Sequence, residues 1–246
     1  MRRLVGVGVG PGDPELVTVK GVRVLAEADL VVVPVMDPHE QGRAEATVRA
    51  HVTHDRLRRL VFALDDRGGP TSERLSAWEA AADAVAEQLL GSPGDVPVTV
   101  AFATIGDPNV YSTFTYLADA VQERVPGVVV ETVPGITAMQ DLAARSGTVL
   151  CEGTESLALL PLTAGVAAFE EALTHFDSVV AYKGGRHMPA VLDVLRRHDR
   201  LDGAVYGAAL GLPDQQVGPA ADAPPSAPYL STVIVPARRT TRGGKL

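Results

Sequence analysis

Short Val-rich or apolar runs alternate along this chain with longer stretches whose apolar positions recur every three or four residues. Residues 4–9, 30–33, 58–63, 96–102 and 128–133 carry the first pattern and predict strands. Between them, Leu75, Trp78, Ala82, Val85 and Leu89 fall on one helical face, which places Trp78 in the core. Tyr111, Phe114, Ala118, Val121 and Val125 form a second such stripe. After Pro134-Gly135 the alternation resumes, with a helix near 136–145 and strands at 157–161, 178–182, 203–208 and 230–235. A helix bearing Met188, Val191, Leu192 and Leu195 lies among them. Strand–helix alternation predicts an α/β fold with mainly parallel sheets. A boundary near Pro134 divides it into two α/β domains, 1–134 and 135–246. The turn-rich segments Asp37–Gln41 and Asp65–Pro70 are loops, and Gly218–Pro228, rich in Ala and Pro, reads as a surface connection.

The segment Gly6-Val-Gly-Val-Gly-Pro-Gly-Asp-Pro14 follows the first strand and has the look of a nucleotide fingerprint. Glycine there permits positive φ and close approach of a ligand to the backbone. A dinucleotide turn, however, enters a helix whose free N–H groups hold a pyrophosphate. Here Pro11 and Pro14 each remove an N–H, and the next N-cap residue is Thr18. The acid expected at the end of a second strand is also misplaced, since Glu27 and Asp29 precede the run Leu30–Val33. These features argue against a dinucleotide dehydrogenase.

Composition narrows the remaining choices. The 246 residues are 46% hydrophobic, 21% charged and only 4% aromatic, so the core is built from Val, Leu and Ala. No apolar run approaches the roughly 20 residues of a membrane helix, and the N-terminus has no signal-peptide pattern. One cysteine, Cys151, allows no internal disulfide and fits a reducing cytoplasm, with the thiol as inert packing. A formal charge of −8 argues against a general nucleic-acid binder. Basic residues still group as Arg56, Arg58 and Arg59, and as Arg238, Arg239, Arg242 and Lys245. Each group is either a solvated face or a local attraction for a polyanionic small molecule. His51 and His54 are three apart with no second pair nearby, which does not make a metal site. There is no P-loop and no nucleophile elbow.

Four glycine- or proline-bearing loops stand at predicted strand ends: Gly10–Pro14, Thr104–Thr113, Val133–Ala138 and Ala181–His187. Ligands of open α/β sheets bind beyond the carboxyl ends of strands. A pocket made of such turns offers main-chain groups for an adenine and a ribose, without a charged clamp for phosphate. With the motifs GVGPGDP (8–14 with its preceding glycine), GDPNVYSTFTYL (106–117), PGITAMQDLAARSG (134–147), YKGGRH (182–187) and YLSTVIV (229–235), the chain resembles the tetrapyrrole methylases. These enzymes use S-adenosylmethionine (SAM) in cobalamin and sirohaem synthesis. The likeness runs from about residue 4 to 235 and is greatest to the branch that methylates precorrin-2 at carbon-20.

The resemblance implies two αβα domains with mixed, mainly parallel sheets, the active site in the cleft between them, and a homodimer, which the cysteine usage places in the cytoplasm. It implies SAM as co-substrate, no metal, a tetrapyrrole acceptor, and neither nucleic acid nor membrane as partner. It also implies a SAM pocket at Pro11, Ile105, Gly106, Asp107, Val110, Tyr111, Thr137, Ala138, Tyr182 and Leu210. Ala209 departs from the pattern, because many relatives carry Arg there. Asp107 and Lys183 are the candidate catalytic side chains. Asp107 either orients SAM or reaches the substrate, or it closes an Asx-turn capping the next helix, and the functional and structural roles are compatible. Lys183 either binds an acceptor carboxylate or is an exposed loop lysine. Tyr111 serves the helical stripe or the ligand, and Asp13 reads as a turn residue. The identity of the base that takes the departing proton stays open, as does a metal-free against a cobalt-containing acceptor. A SAM-binding module without catalysis is the reading from a different class.

Overall fold

In the computed structural model, residues 1–62, 72–91 and 96–239 are described. The predicted loop Asp65–Pro70, Ala63, Arg242 and Lys245 lie outside them. The chain divides into two compact units, Met1–Thr137 and Ala138–Leu246.

The first unit runs β1 (Arg2–Gly8), α1 (Val19–Glu27), β2 (Leu30–Val35), α2 (Arg43–His51), β3 (Leu57–Val61), α3 (Ser72–Leu90), β4 (Val98–Thr104), α4 (Phe114–Arg124) and β5 (Val129–Val133). Its five strands are ordered β3-β2-β4-β1-β5, and every pairing is parallel. Strand alternation sorts the core into two faces. Leu4, Val32, Val100 and Phe102 pack with α3 and α4, whereas Val5, Val7, Val31, Val33, Ala101 and Ala103 pack with α1 and α2. Helices therefore cover both sides of the sheet. Thr18 caps α1, its hydroxyl accepting from Gly21 N–H at 3.0 Å. Trp78 is only half-buried, stacked on the exposed Tyr116 ring at 4.7 Å between centroids, and Leu75 is exposed. The α3 stripe thus reaches the rim of the core rather than its centre.

The second unit contains α5 (Ala138–Ser146), β6 (Leu157–Pro161), α6 (Val166–His175), β7 (Ser178–Tyr182), α7 (Met188–Arg197), β8 (Val205–Ala208), β9 (Gln216–Pro219) and β10 (Ser231–Val235). Its sheet order is β6-β7-β10-β8-β9. Only β6 and β7 are parallel; β10 runs antiparallel to both β7 and β8, and β9 to β8. The parallel majority of the whole molecule therefore comes from the first sheet. Helices α6 and α7 cover one face, and α5 lies on the other with Val180 and Ile234. The segment expected to be a surface connection instead supplies part of β9 and three buried alanines, Ala220, Ala223 and Ala227, to the core.

The arginine groups are largely engaged within the protein. Arg59 pairs with Glu45 at 2.6 Å, Arg56 donates to the Ala26 carbonyl, and Arg239 pairs with Glu152 and Glu155. Glu45 is fully buried and also accepts from Arg49 at 2.8 Å. The Arg59 hydrogen bonds outweigh burial and, with Arg49, hold the Glu45 carboxyl below its ordinary pKa of 4.5. A lowered carboxylate pKa stabilises the fold above the unfolded value, and that contribution is lost as pH falls through the folded one. Glu45→Gln is expected to lose about 1–2 kcal/mol at pH 7, because both arginines are partly solvated and recover water. The gap to wild type should close progressively below pH 4.5. Denaturant titrations at pH 7 and at pH 3.5–4 measure it, and a gap that widens in acid would contradict this role.

Candidate functional site

Strand order positions the three loops of the first unit. Because β1 lies between β4 and β5, the loops after residues 8, 104 and 133 leave from adjacent strand ends. They are tied to one another by main-chain contacts. Val9 N–H donates to the Thr104 carbonyl (2.9 Å), and Gly106 N–H donates to the Gly10 carbonyl (2.8 Å), forming an isolated bridge between the two loops. The Asp107 carboxylate reaches the third loop, its Oδ2 accepting from Gly135 N–H at 2.9 Å. Its Oδ1 accepts from Asn109 N–H at 2.8 Å, which closes an Asx-turn. That turn does not cap α4. The helix begins later, after Thr113, where Ser112 Oγ accepts from Phe114 N–H at 3.1 Å.

Three glycines of the first motif each have their own reason. Gly6 lies under the Phe114 ring, and a Cβ there would come within 2.6 Å of it. Gly8 abuts Gly135 and the Gly106 carbonyl, and Gly10 holds φ +77° at the bridge. Gly6 and Gly8 are therefore demanded by close packing of the protein on itself rather than by a ligand. Gly106 differs. At φ +72° its added Cβ would meet only Thr137 Cα at 4.0 Å, so the side facing away from the knot is open.

The other first-unit candidates sit around this knot. Pro11 is buried and Ile105 packs against the α1/α2 side of the core. Val110 N–H donates to the Asp107 carbonyl (3.2 Å). Thr137 is buried where the third loop meets α5. Tyr111 lies outside α4 at φ +50°, so it does not head the helical stripe as its spacing suggested. Desolvation raises its phenol pKa, which keeps the hydroxyl protonated. Asp13 is a turn residue, its Oδ1 accepting from Glu15 N–H at 3.0 Å. His51 and His54 hydrogen-bond the Pro14 and Leu25 carbonyls through Nε2.

In the second unit, Ala138, Tyr182 and Leu210 share one apolar cluster on the α5 side of the sheet. Tyr182 Oη accepts from Met139 N–H at 2.9 Å, which fixes the end of β7 to the first turn of α5. Lys183 follows at φ +61°, and Ala209 beyond β8 at φ +50°. Among the described residues, four non-glycines have positive φ, and three of them (Tyr111, Lys183 and Ala209) stand in loops at strand carboxyl ends. Such backbone costs of order 1–3 kcal/mol each and collects at functional turns. Sequence reasoning missed Tyr229 and Ser231, which lie beside Lys183. Their sequence signal is membership of the YLSTVIV motif at the last strand, which assigns them no role. Among the described residues, no group of three His, Cys, Asp or Glu is placed to hold a metal, and no helix is long and apolar enough to cross a membrane.

A parallel sheet with knotted glycine turns at its strand ends, followed by a second mixed-sheet unit, defines a two-unit α/β protein with main-chain-lined turns. The chain belongs to the tetrapyrrole (corrin/porphyrin) methylase family, which matches residues 3–223. It is 34% identical over 241 residues to the precorrin-2 C(20)-methyltransferase of a Sinorhizobium species, with 95% of each chain covered. It is 29% identical over 239 residues to the cobalt-precorrin-2 C(20)-methyltransferase of Salmonella typhimurium, again with 95% of each covered. Its fold matches uroporphyrin-III C-methyltransferase from Thermus thermophilus, solved with S-adenosylhomocysteine, at a TM-score of 0.62 and 20% identity. That match covers 94% of this chain and 96% of the other.

Proposed function

We propose that this protein is a SAM-dependent C-methyltransferase that converts precorrin-2 to precorrin-3A by methylating carbon-20, a step of cobalamin biosynthesis. The observation that carries the reading is the knot of Gly8, Gly106 and Gly135 held by Asp107, in a chain whose relatives, matched over 95% of their length, are named for C(20) methylation of precorrin-2 or of its cobalt form. The open side of Gly106 suits an adenosyl group, and the S-adenosylhomocysteine in the Thermus protein supports SAM as the donor. SAM brings its own electrophile, since the sulfonium activates the methyl group. The task left to the protein is alignment of methyl and acceptor carbon, which supplies roughly 7–11 kcal/mol where geometry is favourable. Pro11, Ile105, Gly106, Val110, Tyr111, Thr137, Ala138, Tyr182 and Leu210 hold the donor in this reading. Asp107 orients the turn that does so, and Lys183 meets a carboxylate of the acceptor.

The reading includes a cytoplasmic homodimer acting without a metal ion. The exposed, unpaired Cys151 suits a reducing compartment. The alternative acceptor carries cobalt, and relatives named for each acceptor stand at comparable identity to this chain. The test incubates purified protein with SAM and precorrin-2 under anaerobic conditions and follows product by mass spectrometry. One added methyl per acceptor, matched by S-adenosylhomocysteine, is expected, at a higher rate than with the cobalt-loaded substrate. Calorimetric SAM binding without transfer would reduce the protein to a SAM-binding module, and no binding would end the proposal.

A further inference from the structure

The turn after β7 is braced from a distant part of the chain. Lys183 (φ +61°) and Gly185 (φ +36°) are both left-handed, with Gly184 between them in the helical region. The first residue of β10 and the segment before it reach back to this turn at three points. Ser231, buried at 1% exposure, accepts from Gly185 N–H through its Oγ at 3.1 Å, and its carbonyl accepts from Gly184 N–H at 3.3 Å. A Cβ on Gly184 would fall 2.6 Å from that same Oγ, so the turn is seated directly on the serine. Two residues earlier, the Tyr229 ring lies beneath the Lys183 ammonium, with Nζ 5.7 Å from the ring centroid. That separation is within the range of a cation–π contact.

Lysine itself is unusual in this chain. Lys20, Lys183 and Lys245 are the three lysines among 22 basic residues, the rest being arginine. A lysine has four rotatable side-chain bonds and a compact, mobile charge, whereas arginine presents a planar fork. A lysine whose turn is braced and whose ammonium lies over a ring differs from an ordinary surface lysine. Ser231 sets its backbone and Tyr229 sets its tip.

We propose that Ser231 and Tyr229 are positioning residues that aim the Lys183 ammonium at a carboxylate of the acceptor. This rests on the methyltransferase reading for the acceptor, while the clamp itself is a property of the protein alone. The aromatic face is the operative group of Tyr229. Its phenylalanine variant retains the contact and its leucine variant loses it.

Two measurements test the proposal and separate it from the reading beneath it. The first needs no substrate. Reductive ¹³C-methylation labels the three lysines, and the Lys183 methyl resonance should be shifted upfield by the ring in wild type and in Tyr229→Phe. It should return to a solvent-exposed position in Tyr229→Leu and move toward it in Ser231→Ala. The second is kinetic. Tyr229→Leu should raise the acceptor KM about threefold to fivefold, with kcat and SAM affinity unchanged, and Tyr229→Phe should match wild type. A Lys183 resonance that ignores Tyr229→Leu overturns the clamp whatever the activity. An intact resonance pattern with KM unmoved by both Lys183→Ala and Tyr229→Leu overturns the link to the acceptor. A KM raised by Lys183→Ala and untouched by Tyr229→Leu overturns the role of the ring while leaving Lys183 in place.

Discussion

Gly135→Ala is expected to lower stability by about 3 kcal/mol or more and to abolish SAM binding, although it adds one methyl group. Gly135 is not among the residues with positive φ, so backbone strain does not enter and the cost is purely spatial. The new Cβ would fall 2.1 Å from the Gly106 carbonyl oxygen and 2.7 Å from Gly8 Cα. Both are backbone atoms of strand-end turns that no rotamer change can move. Relief requires separating the ends of β1, β4 and β5, which also breaks the Gly10–Gly106 bridge and displaces the turn proposed to hold the donor. Two comparisons give the number its meaning. Gly6→Ala meets the Phe114 side chain, which can tilt, so it should cost less, about 1–3 kcal/mol. Gly218→Ala meets nothing within 4 Å and should be neutral within about 0.5 kcal/mol. Urea unfolding of the three variants, with calorimetric SAM titration, gives the ranking. Gly135→Ala within about 1 kcal/mol of wild type would show that the three turns do not share one packed knot.

The same packing explains what the sequence made legible. Fully buried parallel strands must be apolar on both faces, so β1, β2 and β4 stood out as Val-rich runs. The turns at their ends were visible because glycine and proline are the residues such turns require. Why the glycines were there was less legible. Close approach to a ligand and close approach to another loop leave the same mark, and only the coordinates assign Gly6 and Gly8 to the latter.

Elements whose burial depends on distant partners were hidden. Helix α2 is short and polar, and its buried Glu45 is acceptable only because Arg49 and Arg59 neutralise it. Strand β9 has four residues, two of them Gly and Pro, and lies at a sheet edge where proline is tolerated. Neither gives a periodic signal. The antiparallel insertion of β10 between β7 and β8 was likewise hidden, because strand direction is set by where the chain returns. Tyr111 failed for a local reason. Its spacing from Phe114 mimics a helical stripe, yet the helix starts only at Phe114 and Tyr111 takes a left-handed turn before it.

Asp107→Asn distinguishes the two roles open to the one buried acid of the knot. Both of its carboxylate oxygens already accept main-chain N–H groups, from Asn109 at 2.8 Å and from Gly135 at 2.9 Å. An asparagine retains one acceptor oxygen and turns an NH₂ toward the other N–H. One of the two ties is lost and a donor faces a donor. We expect a stability loss of about 1–2 kcal/mol and a weaker SAM affinity, with kcat at saturating SAM kept within about tenfold. Asp107→Ala strands both N–H groups and should lose about 2–4 kcal/mol together with measurable SAM binding. A proton-transfer role predicts the opposite division. Losing a general acid or base costs about 10²–10⁴ in kcat, and an isosteric amide would leave ligand affinity and stability nearly intact. The two occupied oxygens favour the first outcome. A collapse of kcat at unchanged SAM affinity and unchanged stability would move Asp107 from holding the turn to handling the proton.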